Sequence, residues 1–377
     1  MEYRAYSLDG PSTLVFGGTD GDDGNMISDY LDQELKHLEE VPVTPTVRLL
    51  IDPDVGHTPA STFGVSGGIS IQGDFVVPDG AGHWCAFDPG ALGVSHLSRT
   101  LIRICCGQFK ANVLLDWILL PVAQFAAAAG GVVPLHASGA SLPGMPGPVV
   151  FSAWSGVGKT NLVLWALGQG GAYLGDDRVY VHADASASAS TRRVSIYGYN
   201  RHLARGLDGR QQVSLLVGDT LHRLGRRQRG RLGFLLSYAA NGLGSTRVAA
   251  AALGGEKGPL ARVSVQAHVV CRAAPDLDAP RVVELAQEGP DQVVGFAKAH
   301  VAVMEYEFVW FRRFLQTWAW ASRSPADPWD ELCDKWTTNL ADYYLSIPRR
   351  LQLDLPVGRS ADIAPAAWGE VTRALSA

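Results

Sequence analysis

The stretch of sequence that restricts the fold most is residues 151–162, Phe151-Ser152-Ala153-Trp154-Ser155-Gly156-Val157-Gly158-Lys159-Thr160-Asn161-Leu162. An apolar run predicted to form a strand leads into it, and an apolar-periodic segment predicted to form a helix follows it. A glycine-rich loop that ends in Gly-Lys-Thr between a strand and a helix is the context of a Walker A motif. The segment therefore predicts a loop that binds the phosphates of a nucleotide.

The residue types of this loop each have a chemical reason. Gly156 and Gly158 allow a tight turn, so that successive N–H groups point inward at phosphate oxygens. Lys159 can reach the β- and γ-phosphates, and the Thr160 hydroxyl can bind the Mg²⁺ that bridges them. Ala153 replaces the first glycine of the pattern and is unstrained only if its φ is negative. The predicted cofactors are ATP and Mg²⁺, and the candidate binding residues are Ser155, Gly156, Val157, Gly158, Lys159 and Thr160.

Three segments together resemble the HPr kinase/phosphorylase family and its relatives. They are His136-Ala137-Ser138 before the loop, the loop itself, and Leu174-Gly175-Asp176-Asp177-Arg178-Val179 after its helix. The relatives include the kinases of lasso-peptide and other peptide-modification systems, and their core is similar to that of phosphoenolpyruvate carboxykinases. The resemblance covers residues 130–182 and extends weakly to about 285. Because the N-terminal region does not resemble that of true HPr kinases, the resemblance does not imply HPr as the substrate.

The adjacent Asp176 and Asp177 are the candidate catalytic pair. A hydroxyl acceptor has a pKa far above 7, so a carboxylate must accept its proton as the bond to phosphorus forms. The second carboxylate can bind Mg²⁺ directly or through water. By resemblance, one of the two is the base. Asp176 is slightly favoured for that role, Asp177 is assigned to the metal with Thr160, and the choice stays open. His136 either orients the aspartate or acceptor, as the resemblance implies, or is an ordinary histidine at a strand end.

The whole chain is predicted to be an α/β protein in three segments. Residues 1–110 have short apolar runs broken by turns and are predicted to be β-rich or α+β. Residues 111–300 are predicted to form a P-loop kinase core like the C-terminal domain of HPr kinases. Residues 301–377 are helical in pattern and rich in tryptophan, and they are predicted to form a helical tail. The Ala/Ser run at 184–192 is predicted to be an exposed turn without a site of its own.

Composition excludes several classes of protein. The 377 residues are 47% hydrophobic and 18% charged, which excludes a mainly disordered chain. The 32 basic and 37 acidic residues give a net charge of −5, which argues against nucleic acid and anionic membranes as partners. Five cysteines without regular spacing do not form a disulfide framework. The N-terminus lacks a secretory signal, and the apolar window 111–130 contains Asp116 and Pro121, so a cytoplasmic location without a membrane span is expected.

A dense basic run occupies residues 223–231. The guanidinium groups of Arg226, Arg227 and Arg229 suit phosphate and carboxylate oxygens, so these residues are candidate contacts to phosphate or to an acidic substrate. A solvated basic face explains the run equally well. No aromatic residues interleave with the arginines, and this disfavours nucleic acid as the ligand.

These features predict an ATP- and magnesium-dependent kinase. Its expected acceptor is a serine or threonine hydroxyl of a peptide or small protein, in the maturation of a natural product. One alternative is a kinase of a small-molecule hydroxyl. Another is a nucleotide-gated binding protein with little catalysis, which Ala153 and the lack of any glutamate between Glu40 and Glu256 keep open. The sequence leaves a homo-oligomer open.

Overall fold

A computed structural model gives the protein a mixed α/β structure that divides into two compact units. It describes residues 2–9, 12–18, 31–32, 36–40, 47–51, 69–71, 74–78, 84–88, 92–97, 101–105, 131–154, 156–190, 193–227, 232–233, 235–236, 244–248, 250–253, 262–285, 289–307, 309, 312, 328–357 and 362–377. The first unit comprises Met1–Pro134 with Gln292–Ala341, and the second Leu135–Asp291 with Asp342–Ala377. Each unit therefore combines two stretches of chain.

The first unit contains a nine-stranded sheet in the order β3-β1-β2-β4-β9-β8-β7-β6-β5. Its strands are β1 (Glu2–Asp9), β2 (Ser12–Gly18), β3 (Lys36–His37), β4 (Val47–Ile51), β5 (Ile69–Ile71), β6 (Asp74–Pro78), β7 (Trp84–Asp88), β8 (Leu92–Leu97) and β9 (Leu101–Cys105). β4 pairs in parallel with β2 and β9, and the other neighbours pair antiparallel. All nine strands lie within the region predicted to be β-rich.

Five α-helices are described. They are α1 (Lys159–Gly168), α2 (Gly209–Arg227), α3 (Pro290–Glu307), α4 (Pro328–Ser346) and α5 (Ala364–Ser376). Short 3-10 helices span Gly198–Leu203 and Ala250–Leu253. Most of α3 and α4 belongs to the first unit, whereas α1, α2 and α5 belong to the second. In the part of the chain that the structure describes, no helix combines the length and the apolar character needed to cross a membrane.

A six-stranded sheet forms the centre of the second unit, in the order β13-β11-β12-β19-β21-β20. The remaining described strands are β10 (Val132–Leu135), β11 (Ala137–Ser141), β12 (Val149–Ser152), β13 (Ala172–Gly175), β14 (Val179–His182), β15 (Ser186–Ser188), β16 (Val194–Tyr197), β17 (Ser245–Val248), β18 (Val263–Ser264), β19 (Ala267–Ala274), β20 (Arg281–Glu284) and β21 (Arg349–Pro356). β12, β19 and β21 run parallel, while β11 is antiparallel to both β12 and β13. β12 and β13 therefore run in the same direction, and α1 connects them.

The apolar core of this unit fixes β12 and α1. Phe151 of β12 and Leu162 of α1 are buried with Trp368 of α5. The Trp368 ring meets the Phe151 ring edge-on at 5.1 Å between centroids, and its indole N–H donates a 2.9 Å hydrogen bond to the Leu162 carbonyl. An indole that fills core volume while its N–H is satisfied is a stabilising contact. The strand and helix on either side of residues 153–158 are thus held by the C-terminal helix.

Two sequence-based expectations do not hold over their whole length. The tail predicted to be helical contains β21, which lies between β19 and β20 in the central sheet. Its leucines alternate with polar residues from Arg350 to Leu355, the period of a strand, and Leu351 and Leu353 are fully buried. The Ala/Ser run is not an exposed turn, since β15 is buried between β14 and β18. Side chains this small can be buried in a strand as readily as they can occupy a turn.

Candidate active site

The candidate site is built around the glycine loop, residues 153–158, which joins β12 to α1. Gly156 and Gly158 have φ values of +84° and +113°, in the region that favours glycine. Among the described non-glycine residues, only Asp177 and Ala185 have a positive φ. Ala153 is therefore not in a left-handed conformation, and its methyl group causes no backbone strain. Ser155 lies outside the described residues, and Val157 is half-buried.

The first turn of α1 is open to an anion. Its N-cap residue is Gly158, so no N-cap side chain accepts a hydrogen bond from the N–H groups of the first turn. The turn also contains no acidic residue. The N-terminus of a helix carries a partial positive charge and unsatisfied N–H groups. A Cβ atom added at Gly156 would meet nothing within 4 Å, so there is space beside the loop. These features fit a phosphate group, which a helix N-terminus of this kind binds.

Lys159 lies across the inside of the glycine loop. Its side chain is buried, and its ammonium group donates a 2.7 Å hydrogen bond to the Ala153 carbonyl. The same nitrogen lies 3.0 Å from Nε2 of His136. Hydrogen bonds to backbone carbonyls hold the ammonium group at the loop. An anion in the loop would compete with the Ala153 carbonyl for its protons.

Asp176 is held by two hydroxyl groups. It is buried in the turn between β13 and β14, and its Oδ1 accepts hydrogen bonds from Ser138 Oγ at 2.7 Å and Thr160 Oγ1 at 2.9 Å. Burial is the main cause that raises the pKa of Asp176 to about 6, and the neighbouring Asp177 carboxylate is the second. The two hydrogen bonds and Lys159 act to lower this pKa but do not outweigh burial. The carboxylate is therefore mostly ionised at neutral pH and available to a cation.

Asp177 differs from its neighbour in both exposure and backbone conformation. Its side chain is exposed, and its φ is +61°, a conformation that aspartate tolerates better than most residues. Both aspartates belong to the turn and not to a strand, so strand alternation does not determine where they point. A Cβ atom at the preceding Gly175 would lie 2.2 Å from the Arg178 carbonyl oxygen, so the tight turn requires glycine there. The turn separates two adjacent carboxylates into one buried and one exposed group.

His136 lies between two cationic side chains. Its Nε2 faces Lys159 at 3.0 Å, and its Nδ1 faces a terminal guanidinium nitrogen of Arg178 at 3.2 Å. A neutral imidazole accepts a hydrogen bond at only one of its nitrogens. The same Arg178 nitrogen donates a 2.7 Å bond to the Asp177 carbonyl. His136 is therefore linked through Arg178 to the turn that carries Asp177.

Thr160 and Asp176 fit a magnesium ion that is shared with a nucleotide. Magnesium prefers oxygen ligands, and it is usually bound through one or two protein groups together with substrate phosphates. Within the described residues there is no group of three His, Cys, Asp or Glu side chains that could hold a metal ion. The contact to Thr160 is made by Asp176, whereas the sequence assigned the metal to Asp177 with Thr160.

Two residues of the site had no role in the sequence analysis. Ser138 fixes Asp176, and Arg178 links His136 to the turn that carries Asp177. Both stand inside segments quoted for the resemblance, next to residues that were assigned roles, and this proximity was the available signal. The candidate contacts in the basic run are less well defined. Arg226 and Arg227 end α2 with side chains that are not described, and Arg229 lies outside the described residues.

No protein-family model matches the chain, and no curated protein is significantly similar to it.

Proposed function

We propose that this protein is an ATP- and magnesium-dependent kinase that transfers the γ-phosphoryl group to a serine or threonine hydroxyl of a peptide or small protein. The observation that supports it best is the 2.9 Å hydrogen bond from Thr160, in the first turn of α1, to the buried carboxylate of Asp176. This bond links the helix turn that follows the glycine loop and Lys159 to the turn that carries Asp176 and Asp177. Phosphoryl transfer needs both a phosphate-holding group and carboxylates close to it.

The glycine loop and Lys159 are the proposed donor site. The open first turn of α1 and the lysine ammonium would bind the phosphates of ATP, so Lys159 would exchange the Ala153 carbonyl for phosphate oxygens. Mg²⁺, when bound, neutralises charge on the phosphates. Thr160 and Asp176 would hold it, because the Thr160 hydroxyl donates its hydrogen bond to Asp176 and leaves its oxygen lone pairs free for a cation.

Asp177 is the proposed proton acceptor. Its exposed carboxylate is open to an incoming hydroxyl, whereas one oxygen of Asp176 already accepts two hydrogen bonds. In the transfer step the acceptor oxygen forms a bond to the γ-phosphorus, the bond from phosphorus to the β–γ bridging oxygen breaks, and ADP leaves. The hydroxyl proton passes to Asp177. This assignment reverses the preference that the sequence alone suggested.

His136 and Arg178 are proposed as positioning residues. His136 lies between Lys159 and Arg178, and Arg178 in turn binds the backbone of Asp177. The three side chains connect the donor side of the site to the acceptor side. A residue that positions a catalytic group affects the rate through geometry, since a displacement of about 1 Å can cost about a hundredfold in rate.

The proposal is tested by incubating the protein and Mg²⁺ with a pool of serine- and threonine-containing peptides and ATP labelled at the γ-phosphorus. We expect labelled peptide with the wild type and a loss of at least about a hundredfold with Lys159→Met or Asp177→Asn. Lys298→Met, which removes an exposed lysine of α3, is the matched control and should transfer at the wild-type rate. Labelling that persists without Lys159, or that comes only from ATP labelled at the α-phosphorus, would contradict the proposal.

A further inference from the structure

Two tyrosines form an exposed stacked pair at the end of β16. The rings of Tyr197 and Tyr199 lie 5.6 Å apart between centroids and within 6° of parallel. Their exposed fractions are 39% and 56%. Parallel, offset rings at this distance attract each other, and an exposed face can add another planar group to the stack. Exposed aromatic side chains held in a fixed geometry are typical of binding surfaces.

Buried asparagines tie this pair to the first turn of α1. Asn200 Oδ1 accepts a 2.8 Å hydrogen bond from the Tyr197 backbone N–H, and Asn200 Nδ2 donates a 3.0 Å bond to Asn161 Oδ1. Both asparagines are buried, and Asn161 directly follows Thr160 in the first turn of α1. A buried hydrogen bond between side chains fixes the relative position of the segments it joins. The tyrosine pair is therefore held next to the helix turn that carries Thr160.

The 3-10 helix Gly198–Leu203, which contains Tyr199, packs against α2 and holds the pair from the other side. A Cβ atom at Gly198 would lie 2.7 Å from the Leu215 carbonyl oxygen, so only glycine allows this close approach. Arg201 donates 2.7 and 3.2 Å hydrogen bonds to the Gly198 carbonyl and to Asp219 of α2. With contacts to α1 and to α2, the aromatic pair is preorganised, which lowers the entropic cost of binding.

The pair also lies within electrostatic reach of the two carboxylates. Partial burial, and then Asp177 and Asp176, raises the pKa of Tyr197. Partial burial, the Tyr197 phenol and the same carboxylates raise the pKa of Tyr199 to about 12. Both phenols are therefore neutral at physiological pH. The two carboxylates give this end of the site negative charge, which favours a neutral or cationic group beside the tyrosines.

We propose that Tyr197 and Tyr199 are a stacking platform that binds a planar side chain of the acceptor next to its reacting hydroxyl. The inference rests on the proposed function, because it assigns the platform to the acceptor of that reaction. The planar group is an aromatic ring or an arginine guanidinium, since both stack on tyrosine faces. A simple alcohol such as free serine has no group of this kind, so the platform favours an acceptor that carries a planar group next to its hydroxyl.

Binding is measured by calorimetry without nucleotide, with acetyl-Ser-Trp-amide, acetyl-Ser-Arg-amide and acetyl-Ser-Leu-amide as probes. We expect the tryptophan or arginine probe to bind about fivefold or more tightly than the leucine probe. This preference should disappear in Tyr199→Ala and remain in Tyr199→Phe. Tyr306→Ala, which removes an exposed tyrosine of α3, is the matched control and should keep it.

Three results would overturn the inference. The first is equal or undetectable binding of all probes, and the second is an unchanged preference in Tyr199→Ala. The third is displacement of the tryptophan probe by adenosine that depends on Tyr199, which would assign the platform to the donor. The test is independent of catalysis. If the probes stack as expected but no peptide gains a phosphoryl group from ATP, the proposed kinase function fails while the platform stands.

Discussion

Replacing Asp176 by asparagine should stabilise the ligand-free protein at neutral pH and abolish phosphoryl transfer. Asparagine has the same shape and can still accept the hydrogen bonds from Ser138 and Thr160. It removes a buried negative charge next to Asp177. The pKa of Asp176 rises from 3.8 to about 6, which corresponds to about 3 kcal/mol of native-state penalty when the group is fully ionised.

The sign of the pH dependence follows from the direction of this shift. The native protein binds the Asp176 proton more tightly than the unfolded chain does, so the penalty is absent well below pH 3.8 and complete above about pH 7. The Asp176→Asn variant lacks this pH dependence. Its advantage over the wild type should therefore be about 3 kcal/mol at pH 7.5 and about 1 kcal/mol at pH 4.5. Urea unfolding at the two pH values, without nucleotide, measures both differences.

Asp354→Asn is the matched control, with the opposite expected sign. This carboxylate is also buried, but hydrogen bonds from Arg281, Arg272 and Gln352 outweigh the effect of burial and lower its pKa. Its loss should destabilise the protein at pH 7.5 by about 1–3 kcal/mol. The reasoning is refuted if Asp176→Asn is less stable than the wild type at pH 7.5, or if its advantage does not shrink at pH 4.5.

Three further substitutions, one of them with a matched control, test separate contacts. Ser138→Ala removes a hydrogen bond that lowers the pKa of Asp176, so the acid limb of the pH profile of kcat/KM should move to higher pH; an unchanged limb would exclude ionised Asp176 from the reaction. Gly158→Ala places a methyl group at φ +113° and should weaken ATP binding at least tenfold in a calorimetric titration. Gly144→Ala, at φ +82° and outside the site, should cost stability without affecting ATP binding. Trp368→Phe removes the indole N–H that donates to the Leu162 carbonyl of α1, and it should lower the free energy of unfolding by about 1–3 kcal/mol. An unchanged urea midpoint would show that this contact does not hold α1.

The local part of the site could be predicted from the sequence because its elements follow one another along the chain. The strand–loop–helix pattern predicted β12, the glycine loop and α1, and the acidic turn comes directly after β13. The chemical roles of glycine, lysine and aspartate are evident from the residue type, so their spacing along the chain indicates that they belong to one site. The exposure of Asp177 and the burial of Asp176 depend on the turn conformation, which spacing does not indicate.

The contacts between distant parts of the chain could not be predicted in the same way. Trp368 reaches Leu162 across 206 positions, and nothing in either local sequence indicates the partner. β21 has a clear two-residue period, but the residues around it form a tryptophan-rich helical pattern, and that pattern predicted a helical tail. The tyrosine platform was missed because Tyr197 and Tyr199 belong to no motif. They stack only because the 3-10 helix returns the chain to Asn161 and α2.

The most direct test of the account is whether the glycine loop holds a nucleoside triphosphate. Calorimetric titration of the wild type with ATP and with AMP, each with Mg²⁺, separates binding through the β- and γ-phosphates from binding through the nucleoside. We expect ATP to bind at least about tenfold more tightly than AMP, and we expect Lys159→Met to remove this difference. Equal binding of ATP and AMP, or a preference for ATP that survives without Lys159, would contradict it.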